Sequence, residues 1–208
     1  MEEFLQHIIN GVSLGSIYGL VAIGYTMVYG ILNLINFAHG DVYMMGAFFG
    51  FFFAHWLGLL HSPSLLTLLV VLILAMAACA LLGMTIERFA YRPLRKQPRL
   101  NLLITAIGVS LLLENGGQLI FGADPKVFPE LIQRTTLLSI GNIEISNYQV
   151  IVVSVALSLM MILQFIIYRT KVGKAMQSVS FSHENASLMG IDVDRIIAFT
   201  FVLGSSLA

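Results

Sequence analysis

Apolar stretches at 8–32, 42–60, 65–86, 102–121 and 149–168 run through this chain almost without ionisable residues, and another opens near Ile196 and is still running at Ala208. A helix rises about 1.5 Å per residue, so about 20 apolar residues cross the hydrocarbon core of a bilayer. These stretches are too long for strands and lack the alternating polarity of a membrane β-barrel. With no water in lipid to satisfy the backbone, helices are the remaining solution. Only 11% of the residues are charged and 58% are hydrophobic, whereas a soluble domain carries roughly 25% charge. That balance excludes an ordinary soluble enzyme, a disordered chain and a nucleic-acid-binding domain, and the formal net charge of zero provides no field to recruit polyanions. The expected fold is an all-α polytopic integral membrane protein with five to six transmembrane helices, forming one domain over 1–208.

Basic residues orient the spans. The loop 87–99 is dense in Lys and Arg, and so is the segment carrying Arg169, Lys171, Lys174 and Arg195; an excess of this kind marks cytoplasmic loops. The intervening loop 122–147 carries only Lys126 and Arg134, and the link 55–64 has no Lys or Arg, so both belong outside. The amino terminus then also faces outward. Met1-Glu2-Glu3 lacks the basic head of a signal peptide, and the first run is read as a retained helix. In the outer loop, residues 136–140 and 143–145 flank Gly141-Asn142 and suggest a small hairpin lying over the helix ends. Cys79 is the single cysteine, which excludes an intrachain disulfide and a cysteine metal cluster. No metal is expected.

Small and polar residues inside the runs mark candidate working parts. Gly11, Gly15 and Gly19 recur at intervals of four, a pattern that lets a neighbouring helix approach closely where lipid offers no reward for association. The stretch from Asn33 to Asp41 is a polar break without Lys or Arg. It reads either as a broken helix beside a transport path or as a tight turn in which Asn36 or Asp41 caps the next helix. Glu114 lies well inside the fourth run, where an ionisable group is costly: it reads either as a functional group or as a protonated or hydrogen-bonded carboxyl holding two helices or two subunits together. The candidate translocation residues are therefore Asn33, Asn36, Phe37, His39, Gly40 and Glu114.

The segment 169–195 follows the fifth run. Ser182 suits the cap of a two-turn helix, Glu184 its positive end and Gly190 its left-handed stop, with Ala186 and Met189 expected on one side. So short a helix needs a docking surface, either a partner's groove or the membrane interface.

The run Gly24-Tyr25-Thr26-Met27-Val28-Tyr29-Gly30-Ile31-Leu32-Asn33-Leu34-Ile35-Asn36-Phe37-Ala38-His39-Gly40-Asp41 resembles the signature of the LivH-type permeases, the membrane subunits of bacterial ABC importers for branched-chain amino acids. Glu87-Arg88, Tyr91-Arg92-Pro93-Leu94-Arg95 and Ala106-Ile107-Gly108-Val109-Ser110 match in order and spacing. Ala186-Ser187-Leu188-Met189-Gly190-Ile191 and Asp194-Arg195-Ile196-Ile197-Ala198-Phe199-Thr200-Phe201 do so as well. The resemblance covers essentially the whole chain. It implies that 169–195 is a cytoplasmic coupling segment in which Glu184, Ala186, Leu188, Met189 and Gly190 seat against an ATPase. Asn185 stands where the wider motif prefers Ala, and Ser180-Phe181-Ser182-His183 replaces a more acidic stretch. Implied partners are a second permease subunit, two cytoplasmic ATP-binding subunits and a periplasmic amino-acid-binding protein, at the bacterial inner membrane. No cofactor is implied, since ATP is bound by the partners alone, and the chain has no Gly-x-x-x-x-Gly-Lys-Ser/Thr pattern and no expected covalent chemistry. Members of the family continue through further helices, so a C-terminally truncated permease is the expectation. Alternatives are a urea or short-amide permease of the same family, a passive channel, and a non-transporting membrane fragment.

Overall fold

The structure is a computed structural model and describes residues 2–208 apart from 33–34, 59–62, 96, 134 and 141–142. Helix α1 spans Glu2–Leu32, α2 His39–Trp56, α3 Leu65–Ile86, α4 Arg99–Phe121 and α5 Asn147–Arg169. Three shorter helices follow: α6, Lys171–Phe181; α7, His183–Leu188; and α8, Val193–Ser206. Between α3 and α4 the chain winds through a π-helical turn, Glu87–Tyr91, and a 3₁₀ turn, Arg92–Leu94. By length and composition, four helices can cross a membrane: α1, α3 with its wound extension, α4 and α5. The chain is an all-helical, multi-pass membrane protein.

Local chemistry starts most of these helices. Ser64 accepts a hydrogen bond from the Thr67 amide at the head of α3. Ser146 and Gln149 form a reciprocal capping box at α5, which satisfies amides that have no partner in the first turn. Thr170, Ser182 and Asp192 cap α6, α7 and α8 in the same way. Helix α2 is placed earlier than the apolar pattern suggests: it begins at His39 and ends at Trp56, and Gly58, at φ 64°, turns the chain soon after. A positive φ of this size strongly favours glycine. The expected hairpin is present as β1, Thr136–Ile140, paired antiparallel with β2, Ile143–Ser146; its turn residues 141–142 lie outside the described residues. Gln6 of α1 donates to the Glu144 carbonyl and accepts from its amide, so the start of α1 is at the same end as the outer loop.

The helices pack in the order α5, α1, α8, α3, α2, α4, with α8 wedged between α1 and α3. The main core lies at the end that carries the basic loop, where Val28, Ile31, Val42, Ile86, Ile197 and Phe201 are buried together. A smaller cluster at the other end joins Ala54 of α2 and Val71 of α3 to Leu131 of the outer loop. Elsewhere large apolar side chains such as Leu112, Leu119 and Phe165 are exposed, as lipid-facing surfaces require.

Close helix approach occurs at glycines, but mostly not at the periodic ones. Gly11 and Gly15 face open space within the chain, and a methyl group at Gly19 would meet only the Met160 Cε, at 3.3 Å. The tight crossings are instead those of α8, with α3 at Gly83, where a methyl group would run into Ser205, and with α1. A methyl group at Gly24 would lie 2.8 Å from the Gly204 carbonyl oxygen, and one at Gly204 would lie 2.8 Å from Val28 Cγ2. Because a backbone atom opposes it, Gly24→Ala is expected to lower stability by roughly 1–3 kcal/mol, read as a fall in the thermal midpoint of the detergent-purified protein. Gly11→Ala and Gly15→Ala are expected to leave that midpoint unchanged or slightly raised, since alanine favours a helix.

Candidate functional site

The end of the bundle bearing the basic loop is held by a continuous set of polar contacts. Glu87 closes α3 with a side chain only 3% exposed, and Arg95 reaches back to pair with it. The same guanidinium pairs with Asp194 in the first turn of α8, and Arg92 reaches that carboxylate at 3.3 Å. Burial pulls Arg95 below its ordinary pKa, while Glu87 and Asp194 act in the opposite sense and hold its charge. The π-helical turn makes this possible, because the extra residue it accommodates re-aims the chain at the end of α3.

A second strand of contacts runs from this turn into the α1–α2 connection. Tyr91 is fully buried against Phe201, with ring centroids 5.2 Å apart. Its hydroxyl donates to Asn36 Oδ1 at 2.7 Å, and the same oxygen accepts from the Ala38 amide at 3.2 Å. His39 is buried, donates through Nε2 to the Val21 carbonyl at 3.2 Å and lies edge-on to Tyr25. Asp41 accepts from Ser110 of α4. Asn36 thus closes a local turn, and Asp41 ties two helices rather than capping one; α2 has Ala38 at its N-cap, with no side-chain cap.

The candidate translocation residues fall at two places. Asn36 and His39 belong to the buried cluster, whereas Phe37 is exposed beside it and a methyl group at Gly40 would meet nothing. Asn33 lies outside the described residues. Glu114 stands apart, on the part of α4 nearer the outer loop, lining a cavity of about 450 Å³.

In the segment 169–195, α6 packs Gly173, Met176 and Val179 inward. Helix α7 ends with Gly190 at φ 82°, and the Ile191 amide returns to the Ala186 carbonyl at 3.1 Å, closing the last turn as a left-handed glycine allows. Ala186 is buried, while Leu188 and Met189 are 82% and 80% exposed. Ala186 and Met189 therefore do not share a face: the helix stops at Leu188, and Met189 belongs to the turn beyond it. Phe181, at the end of α6, is 91% exposed as well. Glu184 is exposed, and His183 donates to the Ile31 carbonyl in the last turn of α1 at 2.8 Å. Neither the Arg95–Asp194 pair nor the Tyr91–Asn36 bond follows from spacing, because the partners lie 99 and 55 residues apart in the chain. The available signals were acidic residues inside basic segments, Glu87 in the loop 87–99 and Asp194 in the segment 169–195.

Residues 7–208 match the family model described as branched-chain amino acid transport system / permease component. The chain belongs to this permease family. It is 38% identical, over 99% of its length and 68% of theirs, to the high-affinity branched-chain amino acid transport system permease protein BraD of Pseudomonas aeruginosa. Its identity to the permease proteins LivH of Salmonella typhimurium and Escherichia coli is 39%, with the same coverage. No solved structure matches the chain. The family is one of transport permeases rather than enzymes, and its members work in importers with partner subunits. The polar ties therefore belong to a permease, at the end its basic residues assign to the cytoplasm.

Removing Arg95 leaves the buried Glu87 without its cation. Arg95→Met is expected to cost about 3–5 kcal/mol, seen as a loss of monodisperse permease on size exclusion. Adding Glu87→Gln to that variant is expected to restore part of the yield, because no buried charge then stands unpaired.

Proposed function

We propose that this chain is the membrane-spanning permease subunit of an ATP-driven importer, carrying branched-chain amino acids across the bacterial inner membrane by alternating access. The substrate class is supported by the names of the relatives, which match the chain over nearly all its length. The observation that carries the mechanism is the exposure of three large apolar side chains, Phe181, Leu188 and Met189, on and just after the short helices that follow the fifth run on the basic side. Three large apolar groups exposed so fully at an aqueous end call for a partner, and a cytoplasmic ATPase is the partner proposed. A second permease subunit, a second ATPase and a periplasmic amino-acid-binding protein complete the assembly. ATP is bound and hydrolysed by the partners, and the permease itself performs no covalent chemistry.

In this reading α7 receives the movement of the ATPase. Two contacts carry it into the membrane: His183 on the Ile31 carbonyl of α1, and the turn from α7 into α8, whose Asp194 is held by Arg95. Asn36 and His39 lie where α1 gives way to α2, the place at which a shift of α1 against α8 alters the path. Glu184 and Gly190 shape the coupling helix, Ala186 seats it on the bundle, and Leu188 and Met189 make the contact.

Leu188→Asp combined with Met189→Asp places two charges at positions that are about four-fifths exposed among the described residues. Copurification of the ATPase and leucine uptake are both expected to fall at least about tenfold, while membrane insertion and the thermal midpoint stay as in the parent. Undiminished uptake with a normal ATPase yield would show that the partner docks elsewhere.

A further inference from the structure

At the outer end of the bundle, α2, α4 and the start of the outer loop enclose the cavity of about 450 Å³ on which Glu114 lies. Its volume falls within the range of about 300–1,000 Å³ usual for small-molecule sites. The wall combines two kinds of surface. Phe48 and Phe51 of α2 form an apolar side, and Phe48 is fixed by stacking on Phe121, with ring centroids 4.8 Å apart. Across from them stand charges of both signs, Glu114 and Asp124 with Lys126, together with the amide of Gln118.

None of these four polar side chains makes a hydrogen bond or ion pair among the described residues. For Glu114 this is unusual. It lies seven residues before the end of α4, about 10 Å into the helix, in a segment long and apolar enough to span the bilayer. A carboxylate at such depth is expensive unless it pairs or faces a wet path. Lys126 has its Nζ 3.9 Å from where a side chain at Gly122 would begin, so its charge stands over the C-terminal end of α4, where the helix dipole favours it. An acid inside the mouth, a base at its rim and an aromatic wall form a pattern complementary to a molecule with an ammonium, a carboxylate and an apolar side chain.

We propose that this outer-mouth cavity binds a zwitterionic α-amino acid with an apolar side chain, Glu114 holding the ammonium, Lys126 the carboxylate, and Phe48 with Phe51 the side chain. The proposal rests on the transport reading above and adds to it the point of entry and the groups that read the solute. Two acids with one base leave the site able to tolerate a cation, so the carboxylate contact of Lys126 is what separates an amino acid from a simple amine.

The test is equilibrium binding of radiolabelled leucine to the permease assembled with its ATPases in nanodiscs, without the periplasmic protein. Competition uses isocaproate, which lacks the ammonium, and isoamylamine, which lacks the carboxylate. Glu114→Gln and Lys126→Met are each expected to weaken leucine binding about tenfold, the effect of one charged hydrogen bond. Glu114→Gln should leave the weaker competition by isocaproate unchanged, and Lys126→Met should leave that by isoamylamine unchanged. Leucine uptake by cells carrying the parent system is measured alongside. Uptake by the parent, with leucine binding that is absent or that both variants leave unaltered, overturns the site and leaves the transport function standing. Isoamylamine binding as tightly as leucine also overturns it, in favour of a cation site. A parent system that accumulates no leucine overturns the transport reading together with the site.

Discussion

The arrangement of the whole bundle depends on one guanidinium. Lipid gives two apolar helices no hydrophobic reason to associate, so contacts must come from close packing and from polar ties. Arg95 supplies the strongest such tie at the basic end, joining Glu87 at the end of α3 to Asp194 at the start of α8. Helix α8 is held there and can lie along α1 only because Gly24 and Gly204 let the two backbones meet. The buried core, Tyr91 on Phe201 and the Asn36 turn are all assembled around this junction. Charge supplies the join, and glycine supplies the room.

The two ends of the molecule differ in character as a result. The basic end is dense: its buried acid and base are paired, Arg95 Nε alone of the described buried side-chain polar atoms lacks a hydrogen-bond partner, and α6 and α7 are packed into it. The outer end holds the small Ala54–Val71–Leu131 cluster and a cavity whose charges are unpaired among the described residues. An importer driven from the cytoplasm has use for such a division. On the proposed reading, force applied at α7 would pass through the dense end of the bundle, and the end proposed to meet the solute keeps room to receive it.

Much of this was legible in the residues, and the reasons are local. Apolar run length marks α1, α3, α4 and α5, because crossing lipid demands it wherever the helix sits in the bundle. Ser182 and Gly190 announced the start and stop of α7, since a hydroxyl cap and a left-handed glycine act within a few residues of themselves. The strands β1 and β2 on either side of residues 141–142 obey the same rule. The glycines at intervals of four were a poorer guide: Gly11 and Gly15 share a helix face, but no neighbour among the described residues comes within 4 Å of a side chain there. The polar break read as either a broken helix or a capped turn; its Asn36 accepts from the nearby Ala38 amide and also from Tyr91, which lies 55 residues away.

The sequence by itself determined that the chain crosses the membrane several times, which end is basic, and where a short capped helix follows the fifth run, because desolvation and hydrogen-bond demand are settled segment by segment. Only the tertiary structure decided that Arg95 would meet both Glu87 and Asp194, that His183 would reach the end of α1, and that Glu114 and Lys126 would line one cavity. Such pairings depend on which helix faces lie together, and among helices that are apolar on every side no periodicity reveals the neighbour.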